Sequence, residues 1–363
     1  MIRKYVDKKA RFISLFDDNT GSYVRTGIIE NGKDTGVDPF MASFPQLIDV
    51  GVMGSCIHGK TGLCLKAGVE CYQDGFHSQK PNMTLDNFKK IVDECSTKGC
   101  FQLALGGCGD VDQHENFEEI LSYCREKGII PNFTSSGLGF TPKIVDICKK
   151  YCGAVAISWY RSPYTIRALE MLVEAGIITN IHYVLGNNSI DEAIDRLKNN
   201  SFPKGITNVI FLMHKPVGLG TEENVLKMDD PRVKEFFELV DNVNTKVDFQ
   251  IGFDSCSIPG IMNFTKNIDN DSLDTCEGGR FSMYISANMI AIPCSFDNQE
   301  LKWGFDISGD KTIQDAWDSK EFDNFRSHFQ NSCMGCKDRV NCMGGCPIRR
   351  QIVLCDRDTK DLQ

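Results

Sequence analysis

The chain has 363 residues, a formal net charge of −9 and a pI near 5.3. That length suits one large domain plus a smaller one. The acidic balance argues against a nucleic-acid surface, which needs a basic stripe, and no run of about 18 apolar residues provides a membrane span. The N-terminus, MIRKYVDKKARF, is basic but lacks an apolar core and a small-residue cleavage site, so it does not read as a signal peptide. Seventeen cysteines are many for this length. Without an export signal they indicate a reducing cytoplasm and metal binding rather than disulfides.

Residues 1–45 read as a mixed N-terminal extension. RFISLFD and YVRTGIIENGKDTG look like two strand-like pieces, with Asn31-Gly32 as a turn signal. The segment is too short for a separate peptide-binding domain and is expected to pack on the main domain. From 46 to 255 strands alternate with helices. LIDVGVM, FQLALGG, IIPNFTSS, GAVAISW, IITNIHYVL, TNVIFLMH and KVDFQIGFDS read as strands. Between them Thr84 caps LDNFKKIVDECSTKG, Gly128 ends ENFEEILSYCREKG, Thr141-Pro142 opens KIVDICKK, and Ser189 caps DEAIDRLKNN. PYTIRALEMLVEAG and DPRVKEFFELVDNV are further helices. About six such units predict an α/β fold, a parallel partial (β/α)6 TIM-like barrel with right-handed crossovers. Its chemistry belongs at the C-terminal ends of the strands. From 256 to 363 the alternation stops and eight cysteines fall, with a boundary expected near NFTKNIDNDSLDT.

Two cysteine arrays carry the chemistry. Cys56, Cys64 and Cys71 share one glycine-punctuated loop, GSCIHGKTGLCLKAGVECYQDG, immediately after the first strand. Three thiolates on one loop hold three irons of a [4Fe–4S] cube and leave the fourth open to a small molecule. Gly59, Gly62 and Gly68 give that loop the freedom to fold around a cube. The second array is Cys333-x2-Cys336-x5-Cys342-x3-Cys346, then Cys355. Eight cysteines fit two metal centres, and zinc and iron–sulfur are both open on composition. Cys95, Cys100, Cys124, Cys148 and Cys152 read as small buried residues.

Most of residues 46–363 resembles a radical S-adenosylmethionine (SAM) enzyme with a C-terminal SPASM domain. The most specific match is the C-terminal array: Cys276, Cys294, Cys333, Cys336, Cys342, Cys346 and Cys355 follow the family pattern, with Met289 where a glycine is expected before Cys294. The N-terminal triad departs more, with Cys-x7-Cys-x6-Cys in place of Cys-x3-Cys-x2-Cys, although Tyr72 after the last cysteine follows the family habit. The resemblance implies domains at 1–45 (extension), 46–255 (radical SAM partial barrel) and 256–363 (SPASM). It implies three [4Fe–4S] clusters. Cys56, Cys64 and Cys71 would hold the first. Cys333, Cys336, Cys342 and Cys355 would hold the outer auxiliary cluster, and Cys276, Cys294 and Cys346 the inner one, with Cys256 as its candidate fourth ligand. Gly106, Gly107 and Asp110 resemble the SAM cradle, although a tight turn would explain the glycines equally well. Ser158, Arg167, His182 and Asn187 are further candidate SAM contacts; His182 reads equally well as a core histidine. Cys108 is kept as a substrate or intermediate contact.

The implied activity is reductive cleavage of SAM to a 5′-deoxyadenosyl radical that takes hydrogen from a ribosomally made precursor peptide. The first reading is a peptide maturase forming a thioether or another crosslink. It would be served by a low-potential ferredoxin or flavodoxin, and its peptide recognised by a separate leader-binding protein or the barrel rim. A sulfatase-maturing, formylglycine-generating enzyme stands second, because Ser295 rather than an acid follows Cys294. A small-molecule dehydrogenase of the same superfamily is third. A non-catalytic metal-binding or electron-transfer scaffold is the alternative from another class.

Overall fold

The computed structural model describes residues 1–66, 69–243, 246–269, 272–298 and 300–355. Gly68, and Asn270 and Asp271 of the expected boundary, lie outside them. Strands β1 (Ile2–Asp7), β2 (Phe12–Asp17) and β3 (Tyr23–Arg25) form an antiparallel sheet. β1 falls in the basic N-terminus, outside the two strand-like pieces read there; its alternation shows only when β2 pairs with it from Ile2↔Asp17 to Asp7↔Phe12. β4 (Ile29–Glu30) and β5 (Lys33–Asp34) form a hairpin on Asn31-Gly32. Both turn residues have positive φ, 49° and 76°, as a two-residue type I′ turn requires.

Parallel strands follow: β6 (Leu47–Met53), β7 (Gln102–Gly107), β8 (Ile130–Ser135), β9 (Val155–Ser158), β10 (Thr179–Leu185), β11 (Asn208–Met213) and β12 (Gln250–Phe253). The cysteine loop after β6 carries two short helices, α1 (Ile57–Thr61) and α2 (Leu63–Lys66). Helices α3 (Leu85–Ser96), α4 (Phe117–Glu126), α5 (Pro142–Tyr151), α6 (Pro163–Glu174), α7 (Ile190–Asn199) and α8 (Pro231–Val243) complete six strand–helix units, and β12 adds a seventh strand. Thr84 and Thr141 accept bonds from Asn87 N and Ile144 N, as N-caps do. Ser189 occupies the cap position of α7 but makes no cap bond. Its hydroxyl instead donates to the Val184 carbonyl at 2.8 Å and accepts from Gly186 N, tying the end of β10 to the helix start.

Along these strands every second side chain is buried against the helices: Ile48, Val50, Leu103, Leu105, Phe133, Val155, Ile157, Ile181, Tyr183, Val209 and Phe211. The alternate positions carry Asp49, Gln102, Asn132, Thr134, Ser158, Asn180, His182 and Asn208, all half-buried. Parallel strands covered on both faces are ordinarily apolar throughout, so this polar row marks an inner, concave face. Thr134 on β8 reaches His182 on β10 across β9, at 3.3 Å, which only a curved sheet allows.

The N-terminal sheet closes the opposite end. Phe16 stacks on Phe101, which precedes β7, with ring centroids 5.4 Å apart, and Arg3 donates to the carbonyls of Phe101 and Gly128.

After β12 comes α9 (Ile258–Phe264), and then β13 (Ser282–Ile285) pairs in parallel with β6, placing Tyr284 beside Asp49. β14 (Ile290–Ile292) and β15 (Phe305–Asp306) extend the sheet antiparallel, so that among the described residues ten strands form one sheet. Helices α10 (Ile313–Trp317), α11 (Lys320–Asn331) and α12 (Arg339–Cys342) follow. Met289, at the position where glycine was expected, adopts φ 62° in the turn between β13 and β14. The turn therefore forms without glycine, at a backbone cost of about 1–2 kcal/mol. The Met289 side chain, 1% exposed in the core, offsets that cost. Met289→Ala keeps the strain and loses the packing, whereas Met289→Gly loses the packing and relieves the strain. The glycine variant should be the more stable of the two by about 1 kcal/mol, measured by denaturant unfolding of both in parallel.

Candidate active site

The cysteine loop leaves the C-terminal end of β6. Cys56 sits at the start of α1, Cys64 is buried in α2, and Cys71 is half-buried in the irregular stretch beyond. The loop doubles back on itself. Ser55 bridges Gln79, and Lys80 and Met83 donate to the Gly54 and Val52 carbonyls. This reversal requires backbones in contact. A Cβ on Gly54 would overlap the Pro81 carbonyl, and one on Gly59 the Gly75 carbonyl. At the end of β7, Gly109 (φ 145°) is pressed against the loop, with a Cβ there 2.5 Å from the Ser55 carbonyl and 3.2 Å from Cys56 Cα. The packing brings Cys71 within electrostatic reach of Cys64 and Cys56, and Cys108 within reach of both Cys71 and Cys56.

Gly107 (φ 112°) rests against the Met53 carbonyl, while nothing lies within 4 Å of a Cβ placed on Gly106. Gly106 therefore borders open space beside the thiols. Asp110 is engaged elsewhere, accepting from Ser136 N at 2.7 Å and Ser136 Oγ at 2.6 Å. Ser136 Oγ in turn lies 3.3 Å from His58 Nε2. Burial raises the Asp110 carboxyl and lowers the His58 imidazole, so both lean toward neutrality. Ser158 lies on the concave face, and the buried Tyr160 hydroxyl just beyond it lies within reach of Cys71, Asp110 and Cys56. Burial holds His182 down to about 4, a neutral imidazole at pH 7. Arg167 is not brought to this group: Thr165, Ala168, Leu169 and Leu172 take the inward side of α6 and leave it exposed. Asn187 is tied into the loop after β10, where its carbonyl oxygen accepts from Arg232 and its amide donates to the Glu223 carbonyl at 3.3 Å.

The C-terminal thiols fall into two sets. Cys256 and Cys346 are in side-chain contact, and Cys276 and Cys294 lie within reach of both. Gly278 lies beside this set: a Cβ there would stand 2.9 Å from the Pro293 carbonyl and 3.5 Å from Cys276 Sγ. Cys333 lies within reach of Cys336 and Cys355, and Cys342 within reach of Cys355 and Cys333. Among the described residues no three Cys, His, Asp or Glu side chains converge at single-ion distance; a cube gives each thiolate its own iron, so its ligands stand apart. A buried ion pair, Lys215–Asp254, flanks the Cys256 set, and Lys215 Nζ lies 4.4 Å from the Phe296 ring centre.

Between the two ends lies a cluster of polar side chains that the motifs did not reveal. Asp49 on β6 and Tyr284 on β13 are register partners, and the Tyr72 hydroxyl approaches Asp49 and Tyr284 while also lying within reach of Cys71 and Cys294. The Tyr72 ring lies against Phe296, centroids 4.8 Å apart, and Gln73 accepts from Asn298 at 2.9 Å. Gln73 Nε2 is buried beside the Tyr72 and Tyr284 hydroxyls. Burial pushes the Asp49 carboxyl up to about 7. One signal could have found it: Asp49 is the only charge in LIDVGVM. His58, Ser136 and Lys215 carry no comparable signal.

Fold and thiol arrangement define a class: a partial parallel barrel with cysteines at the mouth of its first strand, joined to a cysteine-rich C-terminal region. Residues 276–338 match the SPASM family, described as an iron–sulfur cluster-binding domain, so this part of the chain is a SPASM domain. The fold as a whole is shared with solved structures. Streptococcus suis SuiB superposes with a TM-score of 0.69 at 13% identity, covering 98% of this chain and 98% of that one. SuiB bound to S-adenosylmethionine gives 0.64 at 16% identity over 84% of this chain and 74% of that one. Native anSMEcpe with bound AdoMet gives 0.59 at 15% identity over 86% of this chain and 92% of that one. SuiB has also been crystallised with precursor peptide SuiA, and anSMEcpe with the Cp18Cys peptide. Among the described residues no helix is long and apolar enough to cross a membrane.

Two predictions follow from the packing. In Gly59→Ala the new methyl displaces the backbone of Gly75. Reconstituted protein should hold less iron than wild type, read by iron and sulfide analysis. Asp49, raised in the folded state above an ordinary carboxylate near 4, opposes folding increasingly as pH climbs from about 4 to 7. Asp49→Asn should therefore gain Tm over wild type by roughly a few degrees between pH 5.5 and pH 8, measured anaerobically on the iron-loaded proteins.

Proposed function

We propose that this protein is a radical SAM enzyme that modifies a peptide, and that Cys56, Cys64 and Cys71 hold the SAM-binding [4Fe–4S] cube. The observation that carries the reading is the meeting of the β6-loop thiols with the open glycine edge of β7 at the barrel mouth. The donor set fits, since three loop thiols leave one iron free. When bound and reduced, SAM supplies a 5′-deoxyadenosyl radical there.

The chain's own residues hold and orient. Gly106 leaves backbone open to the methionyl end of SAM, and Gly107 seats it by resting on β6. Ser158, Tyr160 and the neutral His182 line the concave wall where the nucleoside would lie. Asp110 acts as a positioning residue, holding Ser136 and through it His58 of α1. Cys333, Cys336, Cys342 and Cys355 would hold an outer auxiliary cluster, and Cys256, Cys276, Cys294 and Cys346 an inner one, each set offering four thiols. Asp49, Gln73, Tyr72 and Tyr284 would face the substrate between the first cube and the inner cluster. The solved SuiB and anSMEcpe complexes with peptides support a peptide substrate. A thioether or other crosslink in a ribosomally made precursor is the chemistry we favour, with an electron donor of the ferredoxin or flavodoxin kind.

The test is anaerobic reconstitution with iron and sulfide, addition of SAM and a strong reductant, and mass spectrometry for 5′-deoxyadenosine. Wild type should hold about twelve irons per chain and release 5′-deoxyadenosine, while Cys64→Ala should release none. An iron-loaded wild type that releases none, with or without cysteine-containing precursor peptides, would leave the non-catalytic scaffold as the better account.

A further inference from the structure

The barrel mouth holds one thiol more than a SAM-binding cube needs. Cys56, Cys64 and Cys71 come from the loop, and Cys108 comes from the turn that ends β7. Its placement is tightly determined. Cys108 N donates to the Met53 carbonyl at 2.8 Å, Gly107 before it rests on β6, and Gly109 after it rests on the Cys56 backbone. Cys108 is 6% exposed, and its Sγ and that of Cys56 each lie 3.7 Å from the point where a Cβ on Gly75 would stand. Cys71 is its other thiol neighbour. Its own bonding is weak, a thiol donation to the Ser78 carbonyl at 3.6 Å. It follows directly on Gly107, at the open edge where SAM would enter.

We propose that Cys108 is a fourth thiolate ligand at this site, bound to the otherwise open iron until SAM displaces it. The inference rests on the cluster assignment proposed above. The exchange is a substitution without change of oxidation state. The iron–sulfur bond to Cys108 breaks, the ammonium of SAM gives up a proton, its amine and carboxylate form bonds to the same iron, and the released Cys108 thiolate takes up a proton, so that none is gained or lost overall. The thiol then rests on the Ser78 carbonyl, as seen here. A closed cube protects the free iron from water and stray ligands before SAM arrives, and the unusual loop spacing leaves room for the extra sulfur.

The holoenzyme decides this without a known peptide. Wild type, Cys108→Ala and Cys108→Ser are reconstituted anaerobically and reduced. Electron paramagnetic resonance spectra are recorded with and without SAM, with iron per chain measured for each. The SAM-free spectrum of Cys108→Ala should differ from that of wild type, and the spectra should converge at saturating SAM. The apparent Kd for SAM, from titration of the SAM-dependent signal, should fall about tenfold once the competing thiolate is gone. Cys108→Ser, isosteric but a poorer iron ligand, should fall between, and it decides the matter if Cys108→Ala loads less iron. SAM-free spectra and affinities matching wild type, with SAM still altering every spectrum, would overturn the inference and leave the proposed function standing. Full iron loading with no effect of SAM on any of the three would instead overturn the SAM-binding assignment, and the inference with it.

Discussion

The parallel pairing of β13 with β6 is the constraint on which the arrangement depends. Four register pairs, from Ser282↔Leu47 to Ile285↔Val50, fasten the cysteine-rich C-terminal region to the first strand of the barrel. β6 is also the strand whose end launches the loop of Cys56, Cys64 and Cys71. One set of backbone hydrogen bonds thus sets the position of one thiol array relative to the other. It also places Tyr284 beside Asp49 and allows Tyr72, next to Cys71, to lie against Phe296, two residues after Cys294.

Close backbone contact does the same at shorter range. Gly54, Gly59, Gly107 and Gly109 are each pressed against main chain where a Cβ has no room, while Gly106 faces open space. The contrast separates two uses of glycine in one motif. Most let segments approach, and one keeps a surface clear. The inner face of the barrel shows a parallel contrast. Buried polar side chains there are bonded to one another, as Asn132 is to Gln102 and Asn208 to Asn180. Gln73 sits differently, its side chain bonded to Asn298 and gathered with the Tyr72 and Tyr284 hydroxyls beside Asp49. Burying a polar group is costly unless a partner meets it, and here Asp49, Gln73, Tyr72 and Tyr284 come together between the two thiol arrays.

The elements were largely legible in the sequence because their signals are local. Alternating apolar runs, Thr84 and Thr141 at helix starts, Gly128 at a helix end and Asn31-Gly32 in a hairpin each act within a few residues. The expectations that differ depend on distant partners. β1 reads as a charged tail until β2 lies beside it, the Ser189 hydroxyl bonds back to a strand end rather than forward into its helix, and Met289 takes a glycine-like backbone because the core holds its side chain. The C-terminal cysteines were legible by spacing, and the structure brings them into two sets of four. Arg167 was singled out by type and position along the chain, and helix phase leaves it exposed.

By itself the sequence determined the class of fold and the grouping of thiols at its two ends, since both rest on periodicity and on thiol spacing, which are properties of the chain. Tertiary structure alone decided what lies between them. Asp49, Gln73, Tyr72 and Tyr284 come from three separated segments, and Cys108 reaches the mouth thiols only because two glycines let β7 touch the loop from β6. No local pattern records such meetings, because they follow from strand register and from the distances at which backbones without side chains can pack.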